Sequence, residues 1–349
     1  MVKANRLTER KNPDVEQADT PFLTMDLAIL DNLKGYSNTF MDPVLWSPYV
    51  RRVCQEHKIS PVESIRPGLT GTYPTFIVNE HRVVKFFGRL FDGEMSYTVE
   101  RLCARLVQTY RPFPTAELLA WGELLPGESR TWPYLIFEYI PGISIGEKLA
   151  YISHGERQRL AGWLGEAVHA LHAIPLDDEI SGILPKQDPI VVKNRQRGSK
   201  RHQEWPKFPQ SWIPKIDDFL TFTDSLTAAP WPLHLIHADL TRDHLLGHLQ
   251  NGCWTTKAVI DFGDALVGSL DYELVVLHLD VFQGDTRLLK IFLNCYGLDK
   301  SEYALFPYRA MRAALLHQFN LFEPYAGSIL SEAEPDLEAI ALSLWNPSK

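Results

Sequence analysis

Of 349 residues, 45% are hydrophobic and 22% charged, the balance of an ordinary folded chain with room for two lobes and their cores. A formal net charge of -8, with 35 Lys and Arg against 43 Asp and Glu, argues against nucleic acid as a partner and suits a cationic small molecule. Four cysteines without C-x-x-C spacing offer neither a zinc site nor a disulfide framework, and no apolar run approaches the roughly 20 residues that cross a membrane, so a cytoplasmic chain with no membrane and no obligate protein partner is expected.

Residues 1–41 read as an N-terminal extension, partly disordered, whose first 24 residues are a polar mobile tail. A first lobe is expected over 42–140. Its opening helix spans Asp42 to His57, with Asp42 placed to cap it and Pro43 suited to its first position. Thr75 to Val78 and Arg82 to Phe87 read as adjacent antiparallel strands. Gly68 and Gly71 lie just ahead of them, where a loop with bare backbone N–H groups would cover phosphates, although an ordinary glycine turn fits equally well. Lys85 interrupts an apolar strand and shares one face with Val83 and Phe87. A helix follows over Glu94 to Tyr110. Glu100 on it, 15 positions beyond Lys85, suits a Lys–Glu pair; Glu94 competes but has the look of a helix-start residue. Two more strands, Glu117 to Leu124 and Tyr134 to Ile140, end at Pro141-Gly142, a candidate hinge. Backbone groups from Glu138 to Ile140 would there meet a nucleotide base.

The second lobe, 141–349, is mainly helical. Leu160, Trp163, Leu164, Ala167, Val168 and Leu171 form a helical stripe on which His169 and His172 are packing or solvent-facing residues. Lys193 to Lys207 reads as a solvated basic surface. The central stretch is His237-Ala-Asp239-Leu-Thr-Arg-Asp243-His244, followed after an Asn251-Gly252 turn by Ile260-Asp261-Phe262-Gly263-Asp264. A kinase-type transfer needs one carboxylate beside the accepting hydroxyl and another on the metal that holds the nucleotide phosphates. Asp239 and Asp261, 22 positions apart across one hairpin, match that layout. Only Ala265 to Ser269 separate Asp264 from the next helix, which leaves no room for a polypeptide-docking segment and implies a small acceptor. Glu323, Glu332, Glu334, Asp336 and Glu338 are either a field for a polycation or a solvated acidic surface; Asp264, Glu273 and Glu323 are candidate contacts to the acceptor.

With these motifs, and with Val84-Lys85-Phe86-Phe87-Gly88, Leu118 to Leu124, Leu277-His278-Leu279, Phe282 to Asp285, Leu316 to Phe319 and Leu344-Trp345, the chain resembles the aminoglycoside phosphotransferase family from about Asp42 to Trp345. The resemblance implies an α+β, two-lobed protein-kinase-like fold: an antiparallel sheet plus helix in the N-lobe, and a mainly helical C-lobe. It also implies ATP or GTP with Mg, and transfer to a hydroxyl of a small cationic, hydroxylated molecule. Carried over by position, Lys85 holds phosphates, Glu100 orients Lys85, Asp239 accepts the hydroxyl proton and Asp261 binds metal. His244 stands where the family has Asn. Imidazole is a poor direct substitute toward Mg, so His244 either works through a water, favours Mn or leaves the position to Asp243. A kinase of another metabolite hydroxyl, or a nucleotide-binding pseudokinase module, stays open beside the leading reading.

Overall fold

Two alternating apolar runs, each bounded by turn residues, set the first lobe. The computed structural model describes residues 27–126, 131–226, 232–323 and 336–348. The elements of this lobe are α1 (Leu33–Thr39), α2 (Pro43–Glu56), β1 (Ile65–Pro67), β2 (Thr75–Val78), β3 (Arg82–Phe86), α3 (Gly93–Tyr110), β4 (Leu118–Leu124) and β5 (Trp132–Glu138). The strands form one antiparallel sheet in the order β1-β2-β3-β5-β4. Asp42 caps α2 as expected, its carboxylate accepting the Val44 N–H at 2.8 Å. One face of the sheet buries Phe76, Val84, Phe86 and Ile136 against α2, where Trp46 stacks on Phe86 with ring centroids 4.5 Å apart. The other face carries Phe87 and Leu135 toward Tyr97 and Ala104 of α3.

The lobe reaches further toward the N-terminus than the expected boundary at 42. Leu27, Leu30 and Tyr36 are buried in the same core as Trp46, and the Tyr36 hydroxyl donates to the Thr72 carbonyl at 2.6 Å. The tail over residues 1–24 lies outside the described residues.

The hinge is as tight as Pro141-Gly142 suggests. Gly142 has φ +152°, and a Cβ there would meet the Gly247 carbonyl oxygen at 2.7 Å, so a side chain fits neither the backbone nor the space. Beyond it come β6 (Ile143–Ser144), α4 (His154–His172), α5 (Asp178–Ile183), α6 (Gln187–Arg197) and α7 (Ile213–Leu226). They are followed by β7 (His234–Ile236), β8 (Leu245–Gln250), β9 (Cys253–Val259), β10 (Leu266–Gly268), α8 (Leu270–Asp280), α9 (Thr286–Tyr296), α10 (Phe306–Leu316) and α11 (Leu337–Trp345). Two small sheets, β6-β8-β9 and β10-β7, sit at the top of the helices. Asn251 and Gly252, with φ of 51° and 79°, make the expected turn between β8 and β9. Every residue of α8 from Leu270 to Leu279 is buried, so this helix is the axis of the lobe rather than an amphipathic surface helix. Among the described residues no helix is long and apolar enough to cross a membrane.

The stretch from Lys193 to Lys207 is largely the solvated surface its charge suggests, with Lys193, Arg197, Lys200 and Lys207 exposed, but part of it turns inward. Arg201 and His202 are buried, with Arg201 donating to the carbonyls of Leu315 and His317 at 3.0 and 2.6 Å. These carbonyls leave the C-terminal end of α10 without helical partners, and the guanidinium supplies them.

Three enclosed imidazoles give the lobe a pH dependence. His202 and His278 each face a carbonyl through Nε2, Leu315 at 3.0 Å and Leu344 at 2.8 Å, so Nε2 carries the single proton of a neutral ring. Burial pushes His202 and His278 down to about 4 and His317 down to about 3. The unfolded chain takes up these protons near pH ~6.5 while the fold refuses them, so the stability is present above that pH and is lost as pH falls toward the folded values. Each ring contributes a loss of about 1.4 kcal/mol per pH unit in that window. The difference in melting temperature between the parent chain and His202→Gln, followed by circular dichroism, should therefore shrink or reverse as pH falls from about 7 to 5; a difference that stays constant over this range would contradict the burial of this ring as a neutral group.

Candidate active site

Period-two alternation along β3 fixes where Lys85 points: with Val83 and Phe87, toward α3 and the cleft between the lobes. Glu100 is buried on the facing side of α3, whereas Glu94 lies exposed in its first turn. The Lys85 ammonium donates to Glu100 Oε2 at 2.7 Å and, across the cleft, to Asp261 Oδ1 at 2.8 Å. Burial works against the ammonium, but Asp261 and then Glu100 outweigh it and hold its pKa above the ordinary lysine range. Burial likewise opposes the charged form of Asp261, but Lys85 and His244 overcome it and keep that carboxyl well below the usual carboxylate range. Glu100 is pushed up to about 7 by burial, with Lys85 pulling the other way. The two carboxylates thus share one ammonium, and burial works against the charged form of both.

The loop from His237 to His244 connects β7 to β8. Ala238 has φ 63°, and its N–H donates to Glu273 Oε2 at 2.9 Å; His237 Nε2 donates to the Ile260 carbonyl at 3.0 Å. These bonds tie the floor of the loop to α8 and to the chain that delivers Asp261, itself left-handed at φ 66°. Asp239 is pushed up to about 7 by desolvation against the pull of His244, with Asp264 and Asp261 adding to the rise. His244 sits between the two aspartates. Its Nδ1 lies 2.6 Å from the Asp239 carbonyl oxygen and 3.7 Å from Asp239 Oδ2, and its Nε2 lies 3.7 Å from Asp261 Oδ2. Burial alone would lower the His244 pKa, but Asp261 and Asp239 raise it. Asp243 turns away, its Oδ1 accepting from Ser144 Oγ at 3.4 Å.

The remaining sequence candidates divide. Gly68 lines the cleft, yet its N–H already donates to the Thr75 carbonyl at 2.8 Å; Gly71 stands in open space, outside the cleft lining. Glu138 and Ile140 line the cleft where a base would lie, but Glu138 N–H is committed to Glu117 and Tyr139 N–H to His81, at 2.8 and 3.1 Å. Of the backbone groups expected there, these two N–H donors already have partners. Asp264 is exposed near Asp261. Glu273 does not reach an acceptor: it is fully buried beneath the loop. Glu323 pairs with Lys207 at 3.3 Å, Asp336 caps α11, and Glu332 and Glu334 lie outside the described residues. Sequence reasoning missed Tyr73, whose hydroxyl is bonded to the Phe91 carbonyl at 2.7 Å and Ser96 at 2.9 Å while its ring lies 5.8 Å from Lys85 Nζ. The only sequence signal was an aromatic residue directly after the Gly68 to Gly71 turn.

The donors suit a cation held jointly with phosphates. Asp261 gives one oxygen to Lys85 and turns the other toward His244. Among the described residues no group of three or more His, Cys, Asp or Glu forms an all-protein cage, and a divalent ion bound through nucleotide phosphates needs only one or two protein carboxylates.

Comparison with known proteins adds to this geometry. The lysine-specific demethylase JMJ21 of Arabidopsis thaliana is 25% identical over 210 residues, which span 49% of this chain and 22% of that protein. Wild-type aminoglycoside 2'-phosphotransferase-IIIa in complex with GDP superposes with a TM-score of 0.60 at 18% identity, over 85% of this chain and 96% of that one. Amicoumacin kinase in complex with AMP-PNP and Ca2+ superposes with a TM-score of 0.54 at 13% identity, over 87% and 94%. At these identities the structural likeness is one of fold, and the fold is the two-lobed kinase-like one. Residues 80–313 match the sequence model of the APH phosphotransferase enzyme family, which is more than half of the chain, and the chain belongs to that family.

Proposed function

We propose that this chain transfers the terminal phosphoryl group of ATP or GTP to a hydroxyl of an aminoglycoside-like or aminocyclitol-like molecule. The observation that carries the reading is the convergence of Lys85, Glu100 and Asp261 on one cleft between a sheet lobe and a helical lobe, with Asp239 joined to Asp261 through His244. A nucleotide with its divalent cation would supply the reactive phosphoryl group. In this reading Asp261 and His244 hold that cation, and Lys85, kept charged by its carboxylates, binds the phosphates. Asp239, with a carboxyl pushed up to about 7, is matched to taking the hydroxyl proton near neutral pH while aligning the oxygen for in-line attack.

A small, cationic acceptor is supported by the short link from Asp264 to α8 and by the carboxylates of Asp239 and Asp264 close to Asp261. The sequence likeness to hygromycin B 7''-O-kinase points the same way, toward an aminocyclitol hydroxyl. The stretches that carry it are largely buried scaffold: His278 packs on Trp345 with centroids 4.8 Å apart, and His317 stacks on Tyr272 at 4.2 Å. That likeness speaks for a shared architecture more than for a shared acceptor.

Incubating the protein with labelled ATP or GTP, Mg or Mn and a panel of aminoglycosides, sugars and amino alcohols tests the reading. Transfer to aminocyclitols supports it, transfer to another class alone moves the acceptor, and nucleotide binding without turnover would make the chain a pseudokinase module. Asp239→Asn should lower turnover by about 10²–10⁴ while nucleotide affinity, measured by calorimetry, stays within about threefold. Unchanged turnover would remove Asp239 as the base. Glu273→Ala leaves the buried Ala238 N–H unsatisfied and should cost about 1–3 kcal/mol in denaturant unfolding, whereas Glu273→Gln keeps an acceptor and should recover most of it. Equal losses in the two variants would show that the bond to Ala238 is not what Glu273 contributes.

A further inference from the structure

We infer that His244 is a direct nitrogen ligand of the cation held by Asp261, and that this ligand makes the site select Mn2+ over Mg2+. The inference rests on the nucleotide-binding reading above and adds to it the identity of the metal. It starts from the tautomer. A backbone carbonyl can only accept, so the Asp239 carbonyl oxygen, 2.6 Å from Nδ1, places the ring proton on Nδ1 and leaves the lone pair of the neutral ring on Nε2. An imidazole that donates one nitrogen to a carbonyl and presents the other to a metal is the usual arrangement of a ligating histidine, because the donated bond fixes both ring orientation and tautomer.

Nε2 has one carboxylate oxygen before it, Asp261 Oδ2 at 3.7 Å. Neighbouring ligands of one octahedral ion at about 2.0–2.2 Å stand roughly 3 Å apart, so the two atoms would draw together by roughly half an ångström or more to share a cation. The other oxygen of Asp261 is taken by Lys85 at 2.8 Å, which orients Oδ2 toward the histidine. His237 packs on the far face of the ring with centroids 5.7 Å apart, and Thr241 Oγ1 sits 3.2 Å from Nδ1, so the imidazole is held from behind as well as in its plane. Asp243 points elsewhere, its Oδ1 accepting from Ser144 Oγ at 3.4 Å.

Mg2+ demands oxygen donors in near-ideal octahedral geometry and gives up water reluctantly, whereas imidazole is a good donor to first-row transition ions. Replacing an amide oxygen by a ring nitrogen therefore shifts the preference of an otherwise oxygen-rich site without abolishing it.

The test uses the full chain with ADP. Electron spin-echo spectroscopy of the Mn2+–ADP complex should show a directly bonded 14N that disappears in His244→Asn. Competition calorimetry with the same ADP complex should show the Mn2+ to Mg2+ affinity ratio falling about tenfold or more in that variant. If Mn2+ and ADP bind but the wild-type protein shows no bonded nitrogen, or if the ratio is unchanged in His244→Asn, the ring is only an ion-pair partner of Asp261 and the inference is overturned. If ADP binds with neither cation, the nucleotide-transfer reading fails first, and the two failures are told apart by ADP binding alone.

Discussion

One ammonium joins the two lobes. Lys85 from β3, Glu100 from α3 and Asp261 from beyond β9 bring three distant parts of the sequence to one point. Each of these ions loses water on folding, a penalty of several kcal/mol that mutual attraction recovers only when geometry is good. Removing one partner strands the others, so the cluster is better understood as a device that fixes geometry than as a source of net stability. The Val259 N–H, bonded to the Pro114 carbonyl at 2.9 Å, adds a neutral bond where the first lobe meets β9.

Below that cluster the second lobe builds a floor of buried polar contacts. Glu273 under Ala238, and His237 against Ile260, hold the loop by backbone groups, while the side chains of Asp239 and His244 gather beside Asp261. A carboxylate at the centre of the lobe serves here as an anchor for backbone rather than as a charge for a substrate. Arg242 extends the same logic outward, its N–H and Nε both donating to Asp280, at 2.5 and 2.9 Å.

Much of this was legible because local patterns encoded it. Alternation placed Lys85 on its face, the 15-residue spacing and helical position selected Glu100, and the turn at Asn251-Gly252 closed the hairpin. What escaped depends on partners that no local pattern reveals. Glu273 lies on a helix buried all round, so there was no polar face from which to read its direction. Arg201 looks like surface charge until the end of α10 supplies carbonyls for it. Backbone groups from Glu138 to Ile140 were expected to meet a base because of the Pro141-Gly142 break, whereas Glu117 and His81, which take two of the N–H groups, could be known as their acceptors only from the sheet pairing.

The left-handed backbone at Asp261 has an evolutionary side. Asn and Asp are the side-chain-bearing residues that tolerate this conformation best, and Gly adopts it without strain. If Asp261 has the role proposed for it, a single-base change from Asp to Asn or Gly at this position would disarm the cleft while leaving the backbone of the turn able to form. The fold is consequently separable from its chemistry at the very residue where the two meet, and a lineage built on this scaffold can shed catalysis and keep a nucleotide-shaped cleft for other use.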